Sequence, residues 1–325
     1  MSGPGKTDYG AAVVAIDAGG TYFKSALISA AGELLGGSFS QAPACSRGTK
    51  AEIIRAYEHI IRRECEYARD HGVRIGGVGI STPGPFDYQR GMSLMTHKFQ
   101  AIKGVGLRDE LYALGIFSNQ LPVVFMQDVH AFLAGEHWTG AIRECDNAAV
   151  ITLGTGLGFG LLQDGKILDN GKGGPLIPLF KHPYRNGILE DIISRRGIIA
   201  RYRQYRGTQD ADIDVRDIAE KARNNDVQAL GVFRETGEIL AGELMEILVA
   251  REISTVVFGG QISKSFDLFG PAFQEKVTAS GKAIRVVPGR NIDFSSLIGV
   301  AQTAFSTRPG KNSRGRGAGN KHIVF

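Results

Sequence analysis

Residues 13–21 read VVAIDAGGT, an apolar run that ends in an acid, two glycines and a hydroxyl. The run predicts a strand and the glycines predict a turn. Two interpretations of the turn are open: a hairpin that needs positive φ, or a loop that brings backbone N–H groups close to phosphate. Asp17, at the strand end, is positioned to hold Mg²⁺ directly or through water, because hard cations prefer carboxylate oxygen.

The same pattern occurs twice. In the first copy, a second strand runs to Ile28, and a turn at Ala31-Gly32 leads to a third strand at 33–35. In the second copy, residues 146–168 give a strand, the glycine-rich turn Gly154-Thr155-Gly156, a second strand, a tight Asp164-Gly165 turn and a third strand. Two such meanders predict two similar lobes, whose glycine-rich loops face each other across a cleft and hold one polyanion.

The remaining segments predict helices and strands between the meanders, in an α/β arrangement. Helical spacing indicates a helix over 51–72, ended by Gly72, and another from 129. A mostly helical region follows from 188 to about 251. The predicted strands are 75–81, 122–127 and 253–263.

Asp128 directly follows the strand 122–127. A carboxylate held at a strand end in a cleft suits a general base for a phosphoryl acceptor, but Asp is also a common helix N-cap, and both roles stay open. Glu190 and Asp191 at a helix start favour a role in the helix dipole. His97 and His182 are isolated imidazoles, which favours surface or polar contacts over metal ligation.

The net charge of +5 does not indicate a nucleic-acid-binding body. Residues 306–325 hold five Lys and Arg side chains and no acid, so the rest of the chain is balanced. This tail and residues 1–10 are expected to be flexible extensions, with contact to a polyanion as the alternative for the tail.

The sequence has three widely spaced cysteines, Cys45, Cys65 and Cys145. Their odd number and spacing favour free thiols in a reducing compartment, and a structural disulfide is the alternative. Neither a signal peptide nor a long apolar run is present, so the expected location is the cytoplasm, with no membrane partner. The length of 325 residues predicts two lobes.

The ordered set IDAGGT, GISTPGPFD, QDVHAFLAGE, ITLGTGLGFG and VVFGGQIS resembles the ROK family of sugar kinases and repressors, over residues 11–305. The resemblance implies the two-lobed actin-like, ribonuclease H-like ATPase fold, with duplicated βββαβαβα lobes. The expected N-terminal lobe spans 11–128 and is completed by a helix near 295–305, and the C-terminal lobe spans 129–294. The implied activity is transfer of the γ-phosphoryl group of ATP·Mg²⁺ to a hydroxyl of a hexose or amino sugar.

The family pattern also assigns site residues. They are a first phosphate loop at Asp17, Gly19, Gly20 and Thr21, a second at Gly154, Thr155 and Gly156, adenosine contacts at Gly259 and Gly260, Asp128 as the catalytic base, and sugar contacts at Gln127, Asp128 and Glu190. Gln127 stands where the family has asparagine. Asp17 is the implied Mg²⁺ residue.

The chain departs from the family between Gly173 and Glu190. Typical members carry Gly-Glu-x-Gly-His and a zinc-binding cysteine cluster there, whereas this chain reads GGPLIPLFKHPYRNGILE. No zinc site is therefore expected. Only sixteen residues precede Asp17, so no DNA-binding domain is expected, and a homodimer is the common assembly of similar proteins. Two alternatives to an ATP-dependent kinase are a catalytically weak sugar or nucleotide sensor and a kinase that uses polyphosphate bound by basic residues such as those of the tail.

Overall fold

The computed structural model describes residues 10–207 and 212–307. The predicted flexible N-terminus falls outside these ranges except for Gly10, and so does the basic tail from residue 308. In the first half of the chain the strands are β1 (Ala11–Ala18), β2 (Tyr22–Ser29), β3 (Ser40–Pro43), β4 (Arg74–Thr82), β5 (Phe86–Asp87), β6 (Met92–Ser93) and β7 (Val123–Gln127). Five of them form one sheet in the order β3-β2-β1-β4-β7.

The second half repeats this sheet. Its strands are β8 (Ala148–Leu153), β9 (Leu157–Gln163), β10 (Lys166–Leu168), β11 (Pro183–Tyr184), β12 (Gly187–Ile188), β13 (Thr255–Gly259) and β14 (Arg285–Pro288). The sheet order is β10-β9-β8-β13-β14. In both sheets an antiparallel meander is extended by parallel strands, so the predicted duplication is present.

The helices flank the two sheets. They are α1 (Lys50–Asp70), α2 (Leu107–Ala113), α3 (Asp128–Trp138), α4 (Leu189–Ile193), α5 (Arg195–Arg206), α6 (Val215–Arg223), α7 (Val227–Ala250), α8 (Phe266–Ala279) and α9 (Ser295–Ser306). Short 3-10 helices occupy Gln100–Ile102, Leu179–Lys181 and Gln261–Ser265. Within the described ranges, no helix is both long and apolar enough to cross a membrane.

The helix predicted over 51–72 is α1. Its first turn is fixed by a capping box, in which the Thr49 hydroxyl accepts from Glu52 N and the Glu52 carboxylate accepts from Thr49 N. Gly72 follows the helix in a left-handed conformation, with φ of +68°. Both ends of the helix are therefore set by local sequence.

Two strand predictions are wrong. The third strand of the first meander lies at Ser40–Pro43 and not at 33–35, where Leu34 forms only an isolated bridge to Ile28. The strand predicted over 253–263 is shorter, because β13 ends at Gly259 and a 3-10 helix begins at Gln261. At 33–35 the pairing with β2 is limited to the two bonds around the Leu34 bridge, from Ser29 N to Glu33 O and from Leu35 N to Leu27 O. After Gly259 the backbone turns at Gly260, which has φ of +80°.

The two sheets meet through α3 and α9, which cross at small residues. A Cβ atom on Gly299 would overlap the Ala131 carbonyl oxygen and lie 2.5 Å from Gly135 N. Helix α9 also packs on β1, β4 and β7 of the first sheet. The C-terminal helix predicted near 295–305 is therefore present and covers the first sheet.

Candidate functional site

The candidate site lies where three parallel strands of the first sheet end. Strands β1, β4 and β7 run parallel, with Asp17 opposite Ser81 and Thr82 opposite Gln127. Their carboxyl ends therefore meet at one edge, as is typical of ligand sites in α/β sheets. The Ser81 hydroxyl donates to Asp17 Oδ1 over 3.1 Å, which orients the Asp17 carboxylate.

Two buried polar atoms at this edge have no hydrogen-bond partner among the described residues. They are Gln127 Oε1 and Thr82 Oγ1, on directly opposed residues of β7 and β4. Leaving a buried polar atom unpaired costs about 1–3 kcal/mol, so a ligand with hydroxyl groups would relieve the cost. The pair makes this strand edge a candidate for polyol binding.

Two carboxylates at this edge have raised pKa values. Desolvation raises the pKa of Asp128 to about 6, the charge of Asp17 adds to this effect, and Val129 N and Lys98 oppose it. Desolvation also raises the pKa of Asp17, against the charge of Lys24 and the Ser81 hydrogen bond. Asp128 is nevertheless an exposed residue, so a ligand can reach its carboxylate even though neighbouring protein atoms desolvate it.

The N-cap interpretation of Asp128 needs correction. Helix α3 starts at Asp128 itself, and Gln127 is the N-cap without a side-chain bond. Asp128 Oδ1 accepts from Val129 N over 2.8 Å. One carboxylate oxygen thus fixes the side chain at the helix start, and Oδ2 remains available for a ligand.

The two glycine-rich loops connect the paired strands of their meanders. Gly19 N donates within its own turn to Asp17 O, and Gly154 N donates to Gly156 O. In the described part of the chain, Gly20 N and Thr155 N make no backbone hydrogen bond. Both loops therefore retain N–H donors of the kind that bind phosphate oxygens.

Gly259 and Gly260 lie beside the second loop. Gly259 pairs with Thr152 in the parallel ladder of β13 and β8. Gly260 has φ of +80°, and a Cβ there would collide with the Leu153 backbone. The second loop and the Gly-Gly pair thus occupy the same edge of the second sheet.

Glu190 contacts the second loop. Its Oε2 accepts from Leu157 N over 2.9 Å, and its Oε1 pairs with Arg196 over 3.2 Å. A Cβ on Gly156 would lie 2.7 Å from Glu190 Oε2. Glu190 opens α4 together with Asp191, in agreement with the sequence-based expectation of a helix start, and its contact with a sugar stays a prediction.

Several residues at the site receive no role from the sequence motifs, although His130 lies within QDVHAFLAGE. Tyr88 donates to Thr82 O over 3.2 Å, and burial together with the nearby Asp128 charge holds the pKa of its hydroxyl well above the usual range. His130 is buried on α3, its Nε2 lacks a partner among the described residues, and burial lowers its pKa. Lys98 lies over the first glycine loop. It is the tertiary structure, and not the local sequence, that brings these side chains to the site.

The two histidines expected to make polar contacts do not form a metal site with other described residues. His182 Nε2 lies 2.9 Å from Glu243 Oε2, and His97 Nδ1 lies 3.4 Å from Thr96 Oγ1. Over the described ranges, no group of three or more His, Cys, Asp or Glu side chains is arranged to hold a metal. Asp17 fits a single Mg²⁺ contact, because a cation there would offset its desolvation and its repulsion with Asp128.

The chain resembles known proteins along most of its length. The ROK family model matches residues 13–305. The glucokinase of Thermotoga maritima is 29% identical over 288 residues, which cover 82% of this chain and 86% of that protein. Sequence similarity thus extends along both lobes and both glycine-rich loops.

Two solved structures show the same fold. A ROK family glucokinase from Streptomyces griseus, in complex with glucose and AMPPNP, matches with a TM-score of 0.76 and 22% identity, over 91% of this chain and 100% of that one. A ROK family transcriptional regulator, a homologue of the E. coli MLC protein, matches with a TM-score of 0.78 and 19% identity, over 91% of this chain and 78% of that one. The actin-like ATPase fold expected from the resemblance is confirmed, and the chain belongs to the ROK family.

Proposed function

We propose that this chain is an ATP-dependent sugar kinase, with Asp128 as the general base. The observation that carries the proposal is the edge formed by Asp128, Gln127 and Thr82, where a carboxylate with a raised pKa adjoins two unpartnered buried oxygens. A sugar presents adjacent hydroxyl groups that match such a set, and one hydroxyl must lose a proton during phosphoryl transfer. The relative named glucokinase supports the same reaction class.

In this proposal the two glycine-rich loops bind the phosphates of ATP. Gly19, Gly20 and Thr21 of one lobe and Gly154–Gly156 of the other would bind the phosphates through backbone N–H groups. Gly259 and Gly260 would lie against adenosine. AMPPNP and glucose are bound together in the S. griseus glucokinase, which supports a cleft that takes nucleotide and sugar at once.

Mg²⁺ would be held at Asp17, directly or through water, and would neutralise phosphate charge. The Ser81 hydroxyl orients the carboxylate for this contact. Asp128 accepts the proton of the sugar hydroxyl while the hydroxyl oxygen attacks the γ-phosphorus. Gln127 and Thr82 orient the sugar. Glu190 would contact the sugar through Oε1, in exchange for its pairing with Arg196, while Oε2 stays bonded to Leu157 N.

The test is an ATP-consumption assay against hexoses, hexosamines and N-acetylhexosamines. We expect sugar-stimulated ADP release, and we expect Asp128→Asn to lower turnover by at least about 10²-fold with nucleotide affinity near normal. Asp164→Asn is the matched control, because Asp164 is exposed in the β9–β10 turn. Undiminished turnover in the Asp128 variant would remove Asp128 from the role of base.

A sensor that binds sugar without turnover is the second candidate. The observation that favours it is the altered segment between Gly173 and Glu190, in which Glu190 is already bonded to Leu157 N and paired with Arg196. Calorimetric sugar binding in the absence of ADP release, across the whole panel, would support the sensor and exclude the kinase.

A further inference from the structure

Lys98 lies directly on the first glycine-rich loop. A Cβ on Gly20 would be 3.0 Å from Lys98 Cδ, 3.1 Å from Cε and 3.4 Å from Nζ, so the whole end of the side chain follows the loop. The side chain is half-buried. Among the described residues, no carboxylate forms an ion pair with the ammonium group, which is therefore a positive charge available to a ligand.

The backbone beside Lys98 is fixed. Phe99 has φ of +52°, a left-handed conformation that is rare for a bulky residue and that clusters at functional sites. Its ring is fully buried and stacks on Phe23 at 5.9 Å. Its N–H donates to Ser46 O over 2.8 Å, and the Ser46 hydroxyl donates to Gly20 O. Ser46 thus joins the backbone next to Lys98 to the glycine loop.

The ammonium group also acts on the proposed base. Its positive charge lowers the pKa of Asp128, against the larger effect of desolvation. Lys98 is therefore close enough to influence both the glycine loop and the carboxylate that faces the acceptor hydroxyl. The group transferred between nucleotide and acceptor must pass between these two points.

We propose that Lys98 is a catalytic residue that binds the transferred phosphoryl group. The inference rests on the proposed kinase function. During transfer, the bond between the γ-phosphorus and the bridging oxygen of ADP breaks, and a bond from the acceptor oxygen to phosphorus forms. The hydroxyl proton goes to Asp128, and Lys98 keeps its own proton while its ammonium group neutralises charge on the phosphoryl oxygens.

A second anion could meet the same ammonium group, namely a carboxylate or phosphate carried by the acceptor. The contact with Gly20 favours the nucleotide, because that loop has backbone donors for phosphate. The two sources predict different effects of removing the charge. A nucleotide contact changes the affinity for a triphosphate analogue, and an acceptor contact changes only the KM of acidic acceptors.

The deciding experiment measures the affinities of AMPPNP and ADP, each with Mg²⁺, for the wild-type chain and for Lys98→Met, Lys98→Arg and Lys103→Met. Lys103 is an exposed lysine on the same segment and serves as the control. We expect Lys98→Met to weaken AMPPNP binding about tenfold and ADP binding less than threefold, because only AMPPNP carries the third phosphate. Lys98→Arg should retain most of the affinity, and Lys103→Met should behave as wild type.

Equal affinities of wild type and Lys98→Met for AMPPNP would overturn the proposal, as would an effect confined to the KM of sugar acids or sugar phosphates. The binding assay is independent of turnover. If the wild type binds AMPPNP but no sugar stimulates ADP release, the kinase proposal fails, and the AMPPNP-to-ADP comparison still decides whether Lys98 meets the terminal phosphate.

Discussion

At the scale of single residues, the Asp128 carboxylate lies among groups with opposite effects on its pKa. Desolvation and Asp17 raise it, whereas Val129 N and Lys98 lower it, and the result is a pKa of about 6. A general base works best when its pKa lies near the working pH, because it is then deprotonated and still basic. The fold thus gives Asp128 the property that its proposed role needs.

This balance predicts the pH dependence of the reaction. Asp128 must be ionised to accept a proton, so kcat/KM should fall about tenfold per pH unit below about pH 6. Initial rates from pH 5 to pH 8.5 would measure this limb, and enzyme held at pH 5 and assayed at pH 7.5 would check that the loss is reversible. A profile that is flat between pH 5 and pH 7 would contradict the assignment.

The pH limb should also respond to Lys98. Its charge lowers the pKa of Asp128, so in Lys98→Met the midpoint of the limb should move to higher pH. The same titration in Lys103→Met provides the control, because this exposed lysine does not contribute to the pKa of Asp128. A midpoint that moves to lower pH in Lys98→Met would show that the Lys98 charge does not lower the pKa of Asp128.

At the scale of elements, the crossing of α3 and α9 joins the two halves of the fold. Glu136 of α3 is fully buried, and its carboxylate accepts from Ala141 N, Arg290 N, Asn291 N and the Ser295 hydroxyl over 2.6–3.3 Å. These bonds hold the loop that leads into α9. At the crossing itself, Gly299 of α9 lies so close to the α3 backbone at Ala131 that only a residue without a side chain fits there.

The crossing predicts a large effect of one methyl group. In Gly299→Ala the Cβ atom would overlap the Ala131 carbonyl oxygen, so we expect destabilisation of about 1–3 kcal/mol. Gly242→Ala in α7 is the control, because a Cβ there meets nothing within 4 Å and a helical Ala is favoured by about 0.5–1 kcal/mol. Denaturant unfolding of both variants would measure the difference, and equal stabilities would contradict the close crossing.

How much could be predicted from the sequence also depends on the element. Helix α1 was predictable at both ends, because Thr49, Glu52 and Gly72 act within a few residues of its backbone. The third strand, Ser40–Pro43, was not, since its pairing with β2 follows an irregular connection that local pattern cannot encode. The same holds for the site: Asp17 and Asp128 sit in motifs, whereas Lys98 reaches the Gly20 loop only through the buried Phe99.

At the scale of the whole molecule, the two halves also touch at the start of the segment in which the chain departs from its family, at Gly173 and two residues before it. Gly173 lies against Tyr88, and Gln89 Nε2 donates to Gly171 O over 3.4 Å. Tyr88 in turn donates to Thr82 O beside the unpartnered oxygens of the candidate sugar site. The loop that carries Gly171 and Gly173 is therefore linked to that site through Tyr88.

A pair of glycine variants isolates this link. Gly171 and Gly173 both have φ of +81°, so an alanine is equally strained at either position, but only at Gly173 would its Cβ meet Tyr88, at 3.0 Å. Relative to Gly171→Ala, we expect Gly173→Ala to raise the KM for the sugar at least about fivefold, because a displaced Tyr88 disturbs the candidate sugar site. AMPPNP affinity should match in the two variants, since both glycine-rich loops lie elsewhere in the chain. Equal sugar KM values would mean that the loop and Tyr88 move independently of sugar binding, and a parallel loss of AMPPNP affinity would place the damage in the fold.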